Sequence, residues 1–583
     1  MLCFLTRRRS IFAGLLFLVM AGGRAAAQDQ GRSVYTPPAL GSVHAVAADH
    51  GLVVAQEKLA ARIGADVLRR GGNAVDAAVA TGFAMAVSYP RAGNIGGGGF
   101  MLIHRQDRAE DVAIDYRETA PANATAQMFL GPDGQPDSKK SRDSALGIGV
   151  PGTVAGLALA LQRYGSGQFS LAELLQPAIA LARDGVVIDD DTADTLPSMQ
   201  QRLGRWPSSL KIFSRPDGSP LQPGDRLVQA ELATTLSAIA EQGPRGFYQG
   251  PVADKLAAAV REAGGILTAA DLSSYQAVVR PPMRGSYRGY DILSMPQPSS
   301  GGVVLLEMLN MLEGFSMRDL KQGSANSLHV MIEAMKRGYA DRARYLGDPA
   351  FTDAPVDTLI SKFYAATLRD TIEPNQATAA AEIFSPVPRE GSNTTHFSVV
   401  DSQGNAVSNT YTLNFPYGLG LVADGTGVLL NNELDDFTAA PGAANAFGLV
   451  GFEANLPGPG KRPLSSMSPT IVLKDGKVVL VTGSPGGSRI ISTVLQVIVN
   501  VLDYRMDLAA AVAAPRLHHQ WQPDEVRIER GFAEGTLDEL RAKGHQLVEP
   551  MGQTSANSIA AGPDHRWRGA ADPRTRGGEA AAE

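Results

Sequence analysis

Thr394 and Thr395 open the stretch Thr-Thr-His-Phe-Ser-Val-Val-Asp, directly after the polar loop Glu390-Gly-Ser-Asn393. A threonine hydroxyl is a poor nucleophile unless a base lies beside it. One such base is the residue's own α-amine, with a reference pKa of about 8, which exists only when threonine begins a chain. A cut between Asn393 and Thr394 would create that amine. Two threonines are also an ordinary way to open a strand, so the pair alone leaves both readings open. Other nucleophiles are scarce. The sole cysteine is Cys3, and Gly486-Gly487-Ser488-Arg489-Ile490 lacks the last glycine of a serine-hydrolase elbow. None of the nine histidines stands in a metal-binding spacing, and adjacent His518 and His519 cannot easily share one ion on a strand. No metal is expected.

Strand and turn signals surround Thr394. Ser402-Gln403-Gly404 separates two alternating runs and predicts a hairpin with Gly404 in the left-handed position. Pairing Asp401 with Asn405 sets Thr394 opposite Thr412, within reach of a Thr–Thr hydrogen bond. A second hairpin is expected over 470–483, with Asp475-Gly476 at its tip, and Gly-Ser-Pro-Gly-Gly-Ser-Arg-Ile then opens a helix. Residues 57–70 read as an amphipathic helix. Asn73 and Asp76 cap the next, an alanine-rich helix stopped by Pro90. The run Gly93-Asn-Ile-Gly-Gly-Gly-Gly leads into a strand with no lysine behind it, which disfavours a phosphate loop and suggests a tight backbone crossing near a site. Arg117 follows a strand in Asp-Tyr-Arg-Glu-Thr-Ala-Pro. Residues 374–393 read as an exposed linker. Sheets and helices without a strict βαβ rhythm indicate stacked layers with mixed or antiparallel sheets.

The 583 residues are 44% apolar and 19% charged, an ordinary globular composition. Three arginines, an apolar core and Arg24-Ala-Ala-Ala27 make residues 1–27 an export signal too short to be a membrane anchor, with Arg8-Arg9 hinting at the twin-arginine type. Removing its four arginines would take the net charge from −6 to −10, and with no basic stripe nucleic acid is not an expected partner. The processed chain would hold no cysteine, which fits the periplasm or an otherwise secreted location for a protein whose large core needs no disulfides.

In order along the chain, Gly-Gly-Asn-Ala-Val-Asp-Ala-Ala-Val-Ala, Asp-Tyr-Arg-Glu-Thr-Ala-Pro, Pro-Ser-Ser-Gly-Gly, Thr-Thr-His-Phe-Ser-Val-Val-Asp, Asn-Thr-Tyr-Thr-Leu-Asn, the Leu-Asp-Asp-Phe segment, Pro-Leu-Ser-Ser-Met-Ser-Pro and Gly-Ser-Pro-Gly-Gly-Ser-Arg-Ile resemble the γ-glutamyltransferase family of N-terminal nucleophile hydrolases. The resemblance covers nearly the whole chain after the signal. It implies an α+β fold, a four-layer αββα sandwich, with one precursor cut into a large subunit (28–393) and a small subunit (394–583) that associate as a heterodimer. It implies Thr394 as nucleophile, Thr412 as its hydrogen-bond partner, and the Gly486 and Gly487 amides as oxyanion hole. Arg117, Ser465 and Ser466 would hold the substrate's α-carboxylate, and Asn414, Glu433 and Asp436 its α-ammonium. Phe447 stands in a lid segment where the family often has tyrosine. The activity implied is cleavage of the γ-glutamyl amide of glutathione and similar small molecules, with transfer to water or an amine, and no cofactor. Two alternatives stay open. One is a cephalosporin (glutaryl) acylase of the same fold, and the other is an envelope binding protein that keeps the pocket without catalysis.

Overall fold

The computed structural model describes residues 43–383, 394–446 and 448–583. The expected signal at 1–27, Asn393 at the expected cut, and Phe447 in the expected lid segment lie outside the described residues. Two seven-stranded sheets dominate. The first runs, in spatial order, Glu579–Ala582, Leu52–Ala55, Thr395–Val400, Ala406–Thr412, Gly98–Arg105, Glu110–Tyr116 and Val278–Arg280. The second runs Val46–Ala48, Trp567–Ala570, Ser558–Ala561, Lys477–Thr482, Thr470–Lys474, Tyr290–Ser294 and Met283–Tyr287. Adjacent strands within both are antiparallel.

Side-chain alternation explains the layering. Successive strand residues point to opposite faces. Along the first sheet, Leu52, Val54, Phe100 and Leu102 join one core with the second sheet and the helices Gly301–Leu312 and Arg489–Leu502. The intervening Val53, Ala55, Met101 and Ile103 pack instead with the helices Lys58–Arg69, Ala74–Ser88 and Thr153–Tyr164. Both faces of the first sheet are therefore apolar and covered. The result is helix, sheet, sheet, helix, the four-layer arrangement expected.

Local signals hold where they were strongest. The helix after Asn73 spans Ala74–Ser88 with a full capping box to Asp76, and it is buried all round, so its low amphipathicity follows from its position between layers. The hairpin pairs Thr395 with Tyr411 and Val400 with Ala406, the register fixed by the turn at Gly404, whose φ is 83°. The second hairpin pairs Lys474 with Lys477 around Asp475-Gly476. Residues 374–383, expected as linker, are more than that. They end in the short helix Ala380–Ile383, and the backbone is strapped down by Lys336 Nζ to Thr378 O at 2.6 Å and Trp521 Nε1 to Ala380 O at 3.1 Å. Among the described residues no helix is long and apolar enough to cross a membrane.

Candidate active site

Thr394 stands at the mouth of the strand Thr395–Val400, buried, with its Oγ1 3.4 Å from Thr412 Oγ1. Thr412 ends the neighbouring strand and its hydroxyl accepts from Asn414 N at 2.8 Å. Its carbonyl accepts from Asn94 Nδ2 at 2.8 Å, and a Cβ on Gly97 would lie 2.1 Å from the same oxygen. The Gly93–Gly99 run is thus the close backbone crossing that its composition suggested. His396, one side-chain repeat from Thr394, bonds Thr410 Oγ1 and Ser398 Oγ instead. Burial pushes its imidazole down to about 3, so it stays neutral.

Thr394 and Thr412 open onto a cleft of about 270 Å³ of empty space, which Arg117, Asn414, Glu433, Asp436, Ser465, Ser466 and Gly487 also line. These residues come from distant parts of the chain. Arg117 follows the strand Glu110–Tyr116, the next to last of the same sheet. Glu433 and Asp436 sit on one turn of 3₁₀-helix, where residues three apart eclipse and both carboxylates face one way. Leu434 and Phe437 fix that turn by packing against Ala120, Ala124 and Phe129. Ser465 and Ser466 lie on a loop tied to Pro298 and Ser300: Ser465 N donates to Pro298 O at 2.9 Å and Ser300 N to Ser465 O at 2.8 Å.

Gly487 lines the cleft just before the helix Arg489–Leu502, whereas Gly486 lies one residue behind it. Their φ values, 135° and 57°, are backbone states that favour glycine. Neither amide donates to a backbone carbonyl among the described residues. Free N–H groups at a helix N-terminus favour negative charge. Tyr339 OH donates to the carbonyl of Ser488, which braces the turn from below.

Charge in the cleft is concentrated and incompletely satisfied. The Arg117 guanidinium, fully buried, donates to both Glu433 and Asp436, with Glu118 at 3.9 Å. Burial alone would lower its pKa; the three carboxyls raise it instead. Burial likewise raises Glu433 and Asp436 against the opposing pull of Arg117, and it lifts Glu118 to about 8. Glu433 Oε2, Asn414 Oδ1 and both oxygens of Glu118 are buried without a hydrogen-bond partner. Asn414 holds φ of 76°, uncommon for a side-chain-bearing residue, while its Nδ2 donates to Asn432 O at 2.9 Å. Buried acceptors left open at a cleft suit a cationic donor.

The model of the gamma-glutamyltranspeptidase family matches residues 60–582. The chain belongs to that family. It is 52% identical to the glutathione hydrolase proenzyme of Escherichia coli (strain K12), over 91% of this chain and 92% of that one. Among solved structures it resembles the gamma-glutamyltranspeptidase of Helicobacter pylori, at 47% identity and a TM-score of 0.55, over 56% of this chain and 92% of that chain. It also resembles a cephalosporin acylase from Bacillus halodurans, at 27% identity and a TM-score of 0.82, over 94% and 99% of the two chains.

Within this family member, Arg117, Asn414, Glu433, Asp436, Ser465, Ser466, Thr394, Thr412 and Gly487 share one cleft, and the segment expected as a lid reaches it through Leu449. Asn445 Nδ2 of the same segment donates to Asp436 Oδ1 at 3.3 Å. Sequence reasoning missed Glu118 and Arg342. Glu118 carried a signal, since it adjoins Arg117, whereas Arg342 carried none. It also missed that His329, Glu333 and His545 come within 4.8 Å of one another. Both Glu333 oxygens are engaged there, by Thr378 N and Lys336 on one side and Arg337 on the other, so the trio is part of a salt-bridged strap.

Proposed function

We propose that this chain is a self-processing γ-glutamyltransferase that cleaves the γ-glutamyl amide bond of glutathione and related compounds. Family membership supports the reaction class. The observation that carries the substrate is the cleft beside Thr394, where a guanidinium and two serines lie next to two carboxyls and an open amide oxygen. That is a site for a zwitterionic α-amino acid head whose side-chain carbonyl reaches the threonine.

In this reading the bond Asn393–Thr394 is cut, which yields a large subunit to residue 393, a small subunit from 394, and an α-amine on Thr394. The Thr394 hydroxyl attacks the γ-carbonyl while its amine takes the proton. The Gly486 and Gly487 amides stabilise the oxyanion. The amine returns its proton to the leaving amino group, and a γ-glutamyl ester remains on Thr394. Water or an acceptor amine then attacks the ester by the reverse sequence. Thr412 orients the nucleophile through the 3.4 Å hydroxyl contact. Arg117, Ser465 and Ser466 take the α-carboxylate, and Asn414, Glu433 and Asp436 take the α-ammonium. In the empty site Arg117 already pairs with Glu433 and Asp436. A zwitterion inserts between them without changing the net charge, so each internal pair is exchanged for one with substrate. A glutaryl group lacks the ammonium and would leave those acceptors open.

Purified protein should run as two fragments under denaturing conditions, the smaller beginning Thr-Thr-His, and should hydrolyse γ-glutamyl-p-nitroanilide in preference to glutaryl-p-nitroanilide. Full activity in an uncut chain sinks the mechanism, and preference for the glutaryl compound sinks the substrate.

A further inference from the structure

A second guanidinium lies behind the serine end of the cleft. Arg342 occupies the last turn of the helix Ala325–Tyr345 and is 4% exposed. Its Nε donates to Ser300 Oγ at 2.9 Å and its Nη2 to Ser466 Oγ at 3.3 Å. Ser300 Oγ in turn donates to Ser465 O at 2.7 Å. Both serines of the cleft are thus held through this one side chain.

Its charge is unusual. Arg117, Arg337, Arg516 and Arg574 are buried to a similar degree, and each has a carboxylate within 3 Å. Arg342 forms no ion pair among the described residues, and its guanidinium bonds hydroxyls. Burial, reinforced by nearby Arg117, lowers its pKa to about 10 against the pull of Tyr339 and Asp436, so it remains charged at neutral pH. A buried charge without a counter-ion is costly, and an arriving anion offsets that cost.

We propose that Arg342 is a positioning residue for recognition of the substrate's α-carboxylate, acting through Ser466. A hydroxyl offers one proton and two lone pairs. With the guanidinium N–H on one lone pair, the Ser466 proton is free for the carboxylate, and the bond polarises that hydroxyl. The carboxylate then completes the charge that the protein leaves unpaired. The proposal rests on the γ-glutamyl reading above. Tyr339, one helical turn earlier, braces the carbonyl next to Gly487, so a single helix supports both the serine end and the oxyanion turn.

The test compares γ-glutamyl-p-nitroanilide with its α-carboxamide counterpart in wild type, R342Q and R342K, with two fragments on a denaturing gel as the folding control. R342Q should raise KM for the carboxylate substrate about 10- to 100-fold with kcat within about threefold. KM for the carboxamide should move less than about threefold, so the preference for carboxylate falls by roughly tenfold or more. R342K, which keeps the charge but loses the planar fork, should recover part of that preference. Equal KM shifts on both substrates, or none, overturn the assignment. If R342Q is not recovered as two fragments, the same comparison in R342K decides: a selective loss on the carboxylate substrate supports the role, and an equal shift removes it. A processed wild type inactive on the carboxylate substrate would instead overturn the γ-glutamyl reading itself, and this proposal with it.

Discussion

Two regions of this molecule bury clusters of arginine and carboxylate, and they differ in what is left over. Behind the second sheet, Arg516 pairs with Asp572 at 2.7 Å, and Arg574 pairs with Glu529 at 2.6 Å and Asp572 at 3.1 Å. Two cations meet two anions there. Remaining donors go to Thr554 Oγ1 and to the carbonyls of Val512 and Ala514. Beside Thr394, Arg117 faces Glu118, Glu433 and Asp436, with Glu433 Oε2, Asn414 Oδ1 and the Glu118 oxygens unpartnered, while the Arg342 guanidinium behind the serines bonds only hydroxyls. The closed cluster is a structural clasp. The open one leaves polar groups unpaired at a cost in stability, and under the proposed function a bound zwitterion would offset that cost.

Substitutions should separate the two sharply. Thr394→Ala should abolish both self-cleavage and turnover, by a factor of about 10³ or more, while thermal unfolding moves little, because only a hydroxyl and a methyl at the cleft are lost. Gels and γ-glutamyl-p-nitroanilide assays would show it, and residual processing would remove Thr394 from its role. Asp572→Ala should do the reverse. It leaves Arg516 and part of Arg574 buried without a counter-ion, which costs about 3–5 kcal/mol and should appear as a large loss in chemical denaturation. If Asp572→Ala were neutral to stability, the contrast would fail. Asp436→Asn should raise KM about 10- to 100-fold, since one charge-assisted bond to the ammonium weakens, with unfolding nearly unchanged.

The smallest effect is on pH dependence. Burial raises the pKa of Glu433 and of Asp436, so as pH falls both gain protons earlier than an ordinary carboxylate does. A protonated carboxyl cannot pair with the α-ammonium, so KM should rise on the acid side. The other ionisable groups facing them are Arg117, which favours the ionised form, Glu118, which opposes it, and Arg342, which favours ionised Asp436. Glu433→Gln should flatten part of that rise. An unchanged KM profile would show that Asp436 alone carries the charge.

Several features were legible in the chain because they obey rules that reach only a few residues. Gly404 and the alternation on either side fix the hairpin, and the hairpin alone sets Thr394 against Thr412. Asn73 and Asp76 announce a helix start, and Asp475-Gly476 a second hairpin. The 374–383 segment is largely exposed, as its linker composition suggests, but its anchors, Lys336 and Trp521, lie far away in sequence and could not be read from it.

By itself the sequence determined the turn chemistry, the register around Thr394 and, through its motifs, the family. Tertiary structure alone decided which charges are buried together and which are satisfied: that Arg117 lies between Glu433 and Asp436, that Glu118 and Arg342 belong to the same field, and that Arg516, Asp572, Arg574 and Glu529 close on one another. Desolvation is the physical reason. A carboxylate or guanidinium acquires its energetic character from every element packed around it, and that enclosure comes from strands and helices hundreds of residues apart.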